Sequence, residues 1–281
     1  MILVTGSSGT VGAELLKELT AVGETVRGGY HTRPPSVPGV EPVRIDLVTG
    51  TGLDEALRGV EAVFLLAGDM DDQTAGEIHV VEAAKRSGVQ RLVKLLVLGA
   101  ETEAFSFARI HRPVERAIEA SGITYTFLRP GSFMQNFVKF YGETIRNESA
   151  FYLPCGDARE GFVDARDIAH VAARVLIHEG HDGRAYDLLG PEPLTYAEAA
   201  ARISAAVGRT ITYVAMADDE YRHAMSGMGV PDAYMDSLLD LYRFVREGEP
   251  PLASSAIHDV TGRNPISFDT FARDHAAVWK T

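Results

Sequence analysis

Short apolar runs alternate with amphipathic helical patterns through the first half of this 281-residue chain. The run AVFLL at residues 62–66 has no polar position. A strand that is apolar on both faces must be covered on both faces, as in parallel sheets whose strands are connected by helices. The sequence therefore predicts a doubly wound α/β domain with right-handed crossovers. Strands are predicted at residues 2–4, 42–45, 62–66, 91–98 and 123–128, and one more starts at residue 25. The predicted helices include 10–22 and 74–87.

The pattern loosens after Pro130. The stretch RAYDLLG indicates a strand that returns to the sheet, and a helix is expected from an N-cap at Thr195 to Gly208. Two further helices are predicted at 232–245 and 267–279. We expect the α/β domain at residues 1–155 and a smaller lobe at 156–281, with segments that return to the main sheet, over the carboxyl ends of the strands.

Charge and cysteine content restrict the partners and the compartment. The 27 Lys and Arg residues face 39 Asp and Glu residues, a net charge of -12. This balance argues against a nucleic-acid partner, because such binding depends on clustered cations. Cys155 is the only cysteine, and no Cys/His cluster has zinc spacing. No apolar run approaches the roughly 20 residues that span a bilayer, and MILVTG is not a signal sequence. We expect a cytoplasmic protein with no metal and no membrane partner.

The glycine-rich stretch TGSSGTVG lies directly between the first predicted strand and the first predicted helix. Gly6 permits a tight turn, Gly9 lets the backbone approach a pyrophosphate, and Gly12 allows close packing of the helix on the strand. The N–H groups at the helix start would face the phosphates. The alternative is a purely structural turn. The predicted pyrophosphate loop comprises Gly6, Ser7, Ser8, Gly9, Thr10, Val11 and Gly12.

The residues after the second strand indicate which dinucleotide would bind. Binders of an unmodified ribose have Asp or Glu here, whereas binders of a 2′-phosphate have Arg. The stretch VRGGYHTRPPS has no acidic residue and contains Arg27, His31 and Arg33. Arg33 is best placed to pair with a phosphate, and a solvated loop arginine is the alternative. The sequence therefore favours NADP(H) over NAD(H).

Further cofactor contacts are expected where later strands end. Asp46 follows the third strand, where its carboxylate would accept a hydrogen bond from the adenine amino group or cap a helix near Gly52. The remaining positions expected to contact the cofactor are Leu66, Ala67, Gly68 and Lys94.

Several stretches together resemble the NmrA-like branch of atypical short-chain dehydrogenases. They are TGSSGTVG, LVKLLVLGA, HRPVERAIEASGITYTFLRPGSFMQNF, FVDARDIAHVAARVL and YDLLGPEPLTYAEAAARI. The resemblance covers nearly the whole chain. It implies a Rossmann domain that binds NADP(H) and a substrate cleft under a smaller C-terminal lobe. Similar members include quinone oxidoreductases and triphenylmethane reductases, and other members are NADP-binding regulators with little or no turnover.

The catalytic set of the wider dehydrogenase family is absent from this chain. That set is Ser, Tyr and Lys, and the corresponding positions here are Leu96, Phe107 and His111. Without a phenol and its lysine, we do not expect alcohol–ketone interconversion by the usual route. The reductase members of the NmrA-like branch are similar in carrying a His before a helical Glu.

His111 is the candidate catalytic residue. Pro113 predicts a helix that starts near Arg112 or kinks there, so His111 would lie at a helix N-terminus. The helix dipole would keep its imidazole neutral, able to donate to a quinone or enone oxygen. The alternative is a hydrogen bond to the cofactor ribose or to a backbone carbonyl. Glu115 is expected to pair with Arg116 or Lys94.

The stretch RPGSFMQN follows the sixth strand, at the edge of the sheet where ligands bind. Phe133 and Met134 are expected to line the substrate cleft, with Asn136 orienting the substrate. The Met-rich stretch HAMSGMGVPDAYMD predicts a lid over a planar ligand, with Met228 in contact. Core packing is the alternative for each apolar side chain.

These features predict an NADPH-dependent reductase of a quinone-like or conjugated carbonyl aromatic substrate, with secondary metabolism as one setting. One alternative is a redox-sensing regulator that binds NADP(H) and a protein partner without turnover. Another is the non-reducing coupling or rearrangement of an aromatic intermediate. The expected partner is a small planar aromatic molecule, and a homodimer is one of the assemblies that the sequence leaves open.

Overall fold

Seven parallel strands form the central sheet of the protein. The computed structural model describes residues 1–68, 72–248 and 253–280. The strands are β1 (Ile2–Val4), β2 (Val26–Tyr30), β3 (Glu41–Arg44), β4 (Ala62–Leu65), β5 (Arg91–Leu95), β6 (Thr124–Pro130) and β9 (Arg184–Leu188). Their order, β3-β2-β1-β4-β5-β6-β9, confirms the predicted doubly wound, Rossmann-like fold. The order reverses between β1 and β4, the place where such sheets bind ligands.

Helices cover both faces of this sheet because central strands such as β1 and β4 are apolar on both sides. In β1, Ile2 and Val4 belong to one core and Leu3 belongs to another. This alternation follows from the two-residue period of a strand. One face packs against α1 (Thr10–Ala21), α7 (Ala165–Ile177) and α11 (Ala256–Thr261), and the other against α2 (Leu53–Ala56), α3 (Gln73–Arg86) and α4 (Ser106–Ser121).

A third core belongs to the second half of the chain. The ring of Phe137 packs edge-on against Phe151, Phe162 and Phe268, and its carbonyl accepts from Trp279 Nε1 at 2.8 Å. The elements here are α5 (Asn136–Lys139), α6 (Gly142–Glu148), β7 (Ala150–Leu153), β8 (Arg159–Glu160), β10 (Leu194–Thr195), α8 (Tyr196–Val207), β11 (Thr212–Ala215), α9 (Asp218–Gly227), α10 (Asp232–Glu247) and α12 (Phe268–Trp279). β7 pairs with β11 and β8 pairs with β10.

In the second half of the chain, the predicted ends of α8 and the predicted returning strand are confirmed. The Thr195 hydroxyl accepts from the N–H of Glu198, whose carboxylate accepts from the N–H of Thr195, and α8 ends at Gly208 with a φ of 75°. β9 rejoins the sheet beside β6. The division at residue 155 stays a prediction. Within residues 1–68, 72–248 and 253–280, no helix is long and apolar enough to cross a membrane.

Candidate active site

The glycine loop between β1 and α1 leaves no room for side chains at two of its glycines. Gly6 has a φ of 59°, and a Cβ there would lie 2.8 Å from the carbonyl oxygen of Leu66. A Cβ at Gly12 would lie 2.2 Å from the carbonyl oxygen of Gly6. Both distances are shorter than real Cβ contacts, so only glycine fits. The loop is therefore a tight backbone cradle at a helix start, which fits a dinucleotide pyrophosphate.

The members of this loop differ in their exposure. Ser7 is buried, and its hydroxyl donates to the carbonyl of Gly29 at 2.8 Å, so its side chain ties β1 to β2. The Val11 side chain lies in the core. Ser8, Gly9 and Thr10 are at least partly exposed. The accessible part of the cradle is thus its middle, with the first-turn N–H groups of α1 behind it.

Arg33 reaches this loop from beyond β2. Its guanidinium lies 3.5 Å from the carbonyl oxygen of Ser8, and its side chain is exposed. Arg27 is not available to a ligand, because it is buried and donates to the carbonyls of Ala56 and Arg58. The structure therefore places Arg33 beside the glycine loop and Arg27 away from it. Arg33 is also the residue that the sequence analysis selected as the phosphate partner.

Asp46 closes the turn that follows β3. Its carboxylate accepts from the N–H of Val48 at 3.0 Å and of Thr49 at 3.3 Å. The hydrogen bond from Thr49 lowers the pKa of Asp46 more than any other contact does. α2 begins at Leu53, as expected, but its N-cap is Gly52 and no side chain caps it. The alternative that Asp46 caps this helix was therefore wrong, because its carboxylate closes the turn before the helix. A contact with adenine stays a prediction.

Residues 66–68 lie beside the glycine loop at the end of β4. The Thr5 hydroxyl donates to the carbonyl of Leu66 at 2.8 Å, and the N–H of Ala67 donates to Glu77 Oε1 at 3.2 Å. A Cβ at Gly68 would meet no atom of the described residues within 4 Å. This segment therefore connects the dinucleotide loop to Glu77 on α3.

A buried group of three polar side chains lies behind this segment. Lys94 on β5 donates to Glu77 Oε1 at 2.8 Å, and both side chains are fully buried. His111 on α4 places Nδ1 4.0 Å from Glu77 Oε2. Lys94 therefore pairs inside the protein with Glu77, a partner that sequence reasoning missed. Its role as a direct cofactor contact stays a prediction.

His111 does not lie at a helix N-terminus. α4 begins at Ser106, and Pro113 lies inside the helix, so the predicted start near Arg112 was wrong. The neutral form predicted for His111 has a different cause. Burial lowers the pKa of His111 well below its usual value, and the Lys94 cation lowers it further. The imidazole is therefore uncharged at neutral pH.

Glu115 also has other partners than those expected from sequence. Its buried carboxylate accepts from Arg112 at 2.7 Å and from Arg129 at 2.8 Å. Arg116 pairs with Glu103. Glu115 thus fastens α4 to β6, and no contact links it to Lys94.

The two other positions that replace the dehydrogenase set are apolar. Leu96 is buried in the core between the sheet and α4. The Phe107 ring meets the ring of Tyr234 on α10 edge to face, with centroids 6.2 Å apart. Phe107 therefore contacts α10 from the position where a catalytic phenol would otherwise lie.

The four predicted substrate residues lie in different environments. Phe133 is half-buried and pairs through its backbone with Val163, and Asn136 begins α5. Met134 is buried in the core of the second half, and Met228 is 71% exposed where α9 ends. Contact of all four with substrate stays a prediction. Burial of Met134 favours its alternative role in the core.

A cavity of about 500 Å³ lies between the start of α4 and helices α9 and α10. None of the four predicted substrate residues lines it. Its walls are mostly charged, so they do not match a planar aromatic ligand. The lining residues are Ser106, Asp218, Asp219, Arg222, Asp236, Leu239, Asp240 and Arg243.

Comparison with known proteins identifies the family. The model of the NmrA-like family matches residues 1–261. The chain belongs to the NmrA-like family. An NAD(P)H azoreductase from Xenophilus azovorans is 35% identical, over 99% of this chain and 99% of its own length. A (4-alkanoyl-5-oxo-2,5-dihydrofuran-3-yl)methyl phosphate reductase from Streptomyces griseus is 34% identical with the same coverage.

Solved structures show the same NmrA-like fold. The NADPH complex of the quinone oxidoreductase QOR2 from Escherichia coli has a TM-score of 0.85 and 24% identity, covering 98% of this chain and 99% of that one. The NADP(H) complex of triphenylmethane reductase from Citrobacter has a TM-score of 0.82 and 24% identity, with the same coverage. The family resemblance seen in the sequence is therefore confirmed.

Lys139 is a second residue that sequence reasoning missed in this NmrA-like protein. It ends α5, and its Nζ lies 2.5 Å from the Thr10 hydroxyl at the start of α1. The pairing spans 129 residues of chain. It brings a cation from the second half to the exposed part of the glycine loop.

Proposed function

We propose that this protein is an NADP(H)-dependent reductase of quinone-like or conjugated carbonyl aromatic acceptors. The observation that carries the proposal is the glycine cradle with the Arg33 guanidinium 3.5 Å from the Ser8 carbonyl. Its relatives support it, because the azoreductase and the dihydrofuranyl phosphate reductase are both named as reductases, and the azoreductase is named for NAD(P)H. A quinone oxidoreductase from Escherichia coli is 28% identical over 85% of this chain.

The residues that would hold the dinucleotide surround the start of α1. The loop N–H groups and the helix N-terminus would bind the pyrophosphate, and Lys139 would add a cation. Arg33 would pair with the 2′-phosphate through its planar guanidinium. Asp46 and residues 66–68 would contact the adenosine. When bound, the reduced dinucleotide supplies a hydride.

The chain's own groups favour acceptors that are easy to reduce. Reduction of a quinone to a hydroquinone would take up one hydride from the bound dinucleotide and one proton from water. This step needs no strong acid from the protein. Leu96 and Phe107 cannot move a proton, and the uncharged, largely buried His111 is a weak acid at best. Interconversion of simple alcohols and ketones lacks its usual catalytic groups here.

The proposal is tested by following loss of the reduced-dinucleotide absorbance. The acceptors are a benzoquinone, a naphthoquinone, an azo dye, an enone and an unactivated ketone. We expect turnover with the quinones, a higher kcat/KM with NADPH than with NADH, and none with the unactivated ketone. Reduction of the ketone alone would overturn the proposal.

A second candidate is an NADP(H)-sensing regulator without turnover. The observation that favours it is the apolar pair Leu96 and Phe107 in place of catalytic groups. Tight binding of NADPH with no oxidation by any acceptor in the panel supports the regulator instead.

A further inference from the structure

Two buried polar atoms face each other across the contact between α3 and α4. Glu77 Oε2 and His111 Nδ1 lie 4.0 Å apart, and neither has a hydrogen-bond partner among the described residues. The Glu77 side chain is fully buried, and 10% of the His111 side chain is exposed. Leaving a buried polar atom without a partner is unfavourable, so such a facing pair calls for a physical reason.

The other contacts of Glu77 fix it as a charged acceptor. Oε1 accepts from Lys94 Nζ at 2.8 Å and from the N–H of Ala67 at 3.2 Å. Lys94 also donates to the carbonyl of Leu95, and both members of the ion pair are fully buried. An ionised carboxylate only accepts hydrogen bonds. Oε2 therefore presents negative charge to the nearest nitrogen of His111.

The helix segment that carries His111 is fastened to α3. The Thr74 hydroxyl of α3 donates to the carbonyl of Ile110 at 2.9 Å, which fastens the two helices one residue before His111. A neutral imidazole carries its proton on one nitrogen and a lone pair on the other. A lone pair on Nδ1 would face the Glu77 carboxylate and be repelled, whereas a proton on Nδ1 is attracted.

We propose that Glu77 is a positioning residue that keeps the proton of neutral His111 on Nδ1 and leaves Nε2 as a hydrogen-bond acceptor. Nδ1 is among the buried atoms, so the exposed tenth of the side chain belongs to the rest of the ring. The ligand that fits Nε2 is a hydroxyl group, from the cofactor ribose or from a phenolic product. The assignment of a hydroxyl ligand to Nε2 rests on the proposed function, but the position of the proton on Nδ1 does not. A neutral His111 in this form cannot donate to a quinone oxygen, so the inference decides against that role.

The position of the proton is tested by long-range ¹H–¹⁵N NMR on the full-length protein, with His111→Asn used to assign the signals. We expect the wild-type ring to carry its proton on Nδ1. In Glu77→Gln, the amide oxygen can keep the contacts with Lys94 and Ala67, and the amide NH₂ then faces Nδ1. We therefore expect the proton to move to Nε2. A wild-type proton on Nε2, or an unchanged ring in Glu77→Gln, would overturn the proposal.

Glu82→Gln is the matched control, because Glu82 lies on the exposed side of α3. It should leave the proton on Nδ1. The two hydroxyl sources are separated by titrating NADPH and a hydroquinone independently. The source that binds His111 shifts the Nε2 signal, and its affinity falls about tenfold in Glu77→Gln, the effect of one lost hydrogen bond. No Nε2 shift with either ligand would overturn the hydroxyl assignment. These NMR results do not require turnover, so failure of the proposed function is seen separately.

Discussion

Asp240 on α10 accepts hydrogen bonds at 2.7 Å from both the backbone N–H and the hydroxyl of Ser106, the first residue of α4. The same carboxylate pairs with Arg109 at 2.6 Å. The residue before the helix, Phe105, provides no capping side chain. The helix that carries His111 is therefore capped by a residue of α10, 134 positions further along the chain than Ser106.

Replacing Asp240 with Ala should destabilise the protein through the start of α4. We expect the free energy of unfolding to fall by about 1–2 kcal/mol, as for the loss of a helix cap with a charged acceptor. Urea denaturation followed by circular dichroism measures it. The control is Asp236→Ala, which removes an exposed pair with Arg222 and should change stability by less than about 0.5 kcal/mol. Equal losses in the two variants would contradict the capping role.

Replacing Arg33 with Ala should remove the preference for NADPH. The guanidinium contributes only where a 2′-phosphate is present, so we expect the ratio of kcat/KM for NADPH to that for NADH to fall by about tenfold or more. Arg86→Ala is the control, because Arg86 is exposed on the last turn of α3 and pairs there with Asp54. A variant that retains its preference for NADPH excludes Arg33 as the phosphate-binding residue.

Replacing Lys139 with Ala should weaken both dinucleotides alike. Its cation lies at the start of α1, where both would place their pyrophosphate, so KM should rise several-fold for NADPH and NADH with their ratio unchanged. The rise should shrink at high salt because the site is exposed. Lys17→Ala, which removes an exposed pair with Glu14 on α1, is the control. A change confined to NADPH would place Lys139 at the 2′-phosphate instead.

The depressed pKa of His111 predicts a loss of stability in acid. Above pH 6.5 the side chain is neutral in both the folded and the unfolded chain, so it contributes nothing. Below that pH the unfolded chain binds a proton that the folded protein resists, so the free energy of unfolding falls. At about pH 5.5, one unit below the usual pKa of histidine, this effect should lower the free energy of unfolding of the wild type by on the order of 1 kcal/mol. Thermal unfolding should show that His111→Gln does not have this acid-dependent loss. The exposed His258→Gln serves as control. Parallel pH curves for wild type and His111→Gln would contradict the shift.

The features that sequence predicted correctly depend on residues close together in the chain. The uninterrupted apolar runs of β1 and β4, the glycine spacing and the cap at Thr195 are each complete within a few residues. The predicted start of α4 was wrong because Pro113 suggested that the helix begins near Arg112. The helix begins earlier, at Ser106, because Asp240, far along the chain, caps it there. The sequence around α4 contains nothing that predicts such a distant capping residue.

The burial of Glu77, in contrast, could have been predicted from the sequence. It occupies the same helical face as Val80, Val81 and Ala84, three and four residues apart and all buried. Lys94 likewise interrupts the apolar strand β5. Two opposite charges on neighbouring buried surfaces predict an ion pair, because a lone buried charge is too costly. The sequence position of Lys139 gives no such indication, since it is an exposed residue at the end of the short helix α5.

The most direct test is the stoichiometry between NADPH consumed and hydroquinone formed, measured without oxygen for the wild type and for Gly12→Ala. The added methyl group would lie 2.2 Å from the carbonyl oxygen of Gly6, so the variant should lose the dinucleotide cradle. We predict one hydroquinone per NADPH for the wild type and no reaction for the variant. A wild-type protein that binds NADPH but consumes none with any quinone would contradict the account.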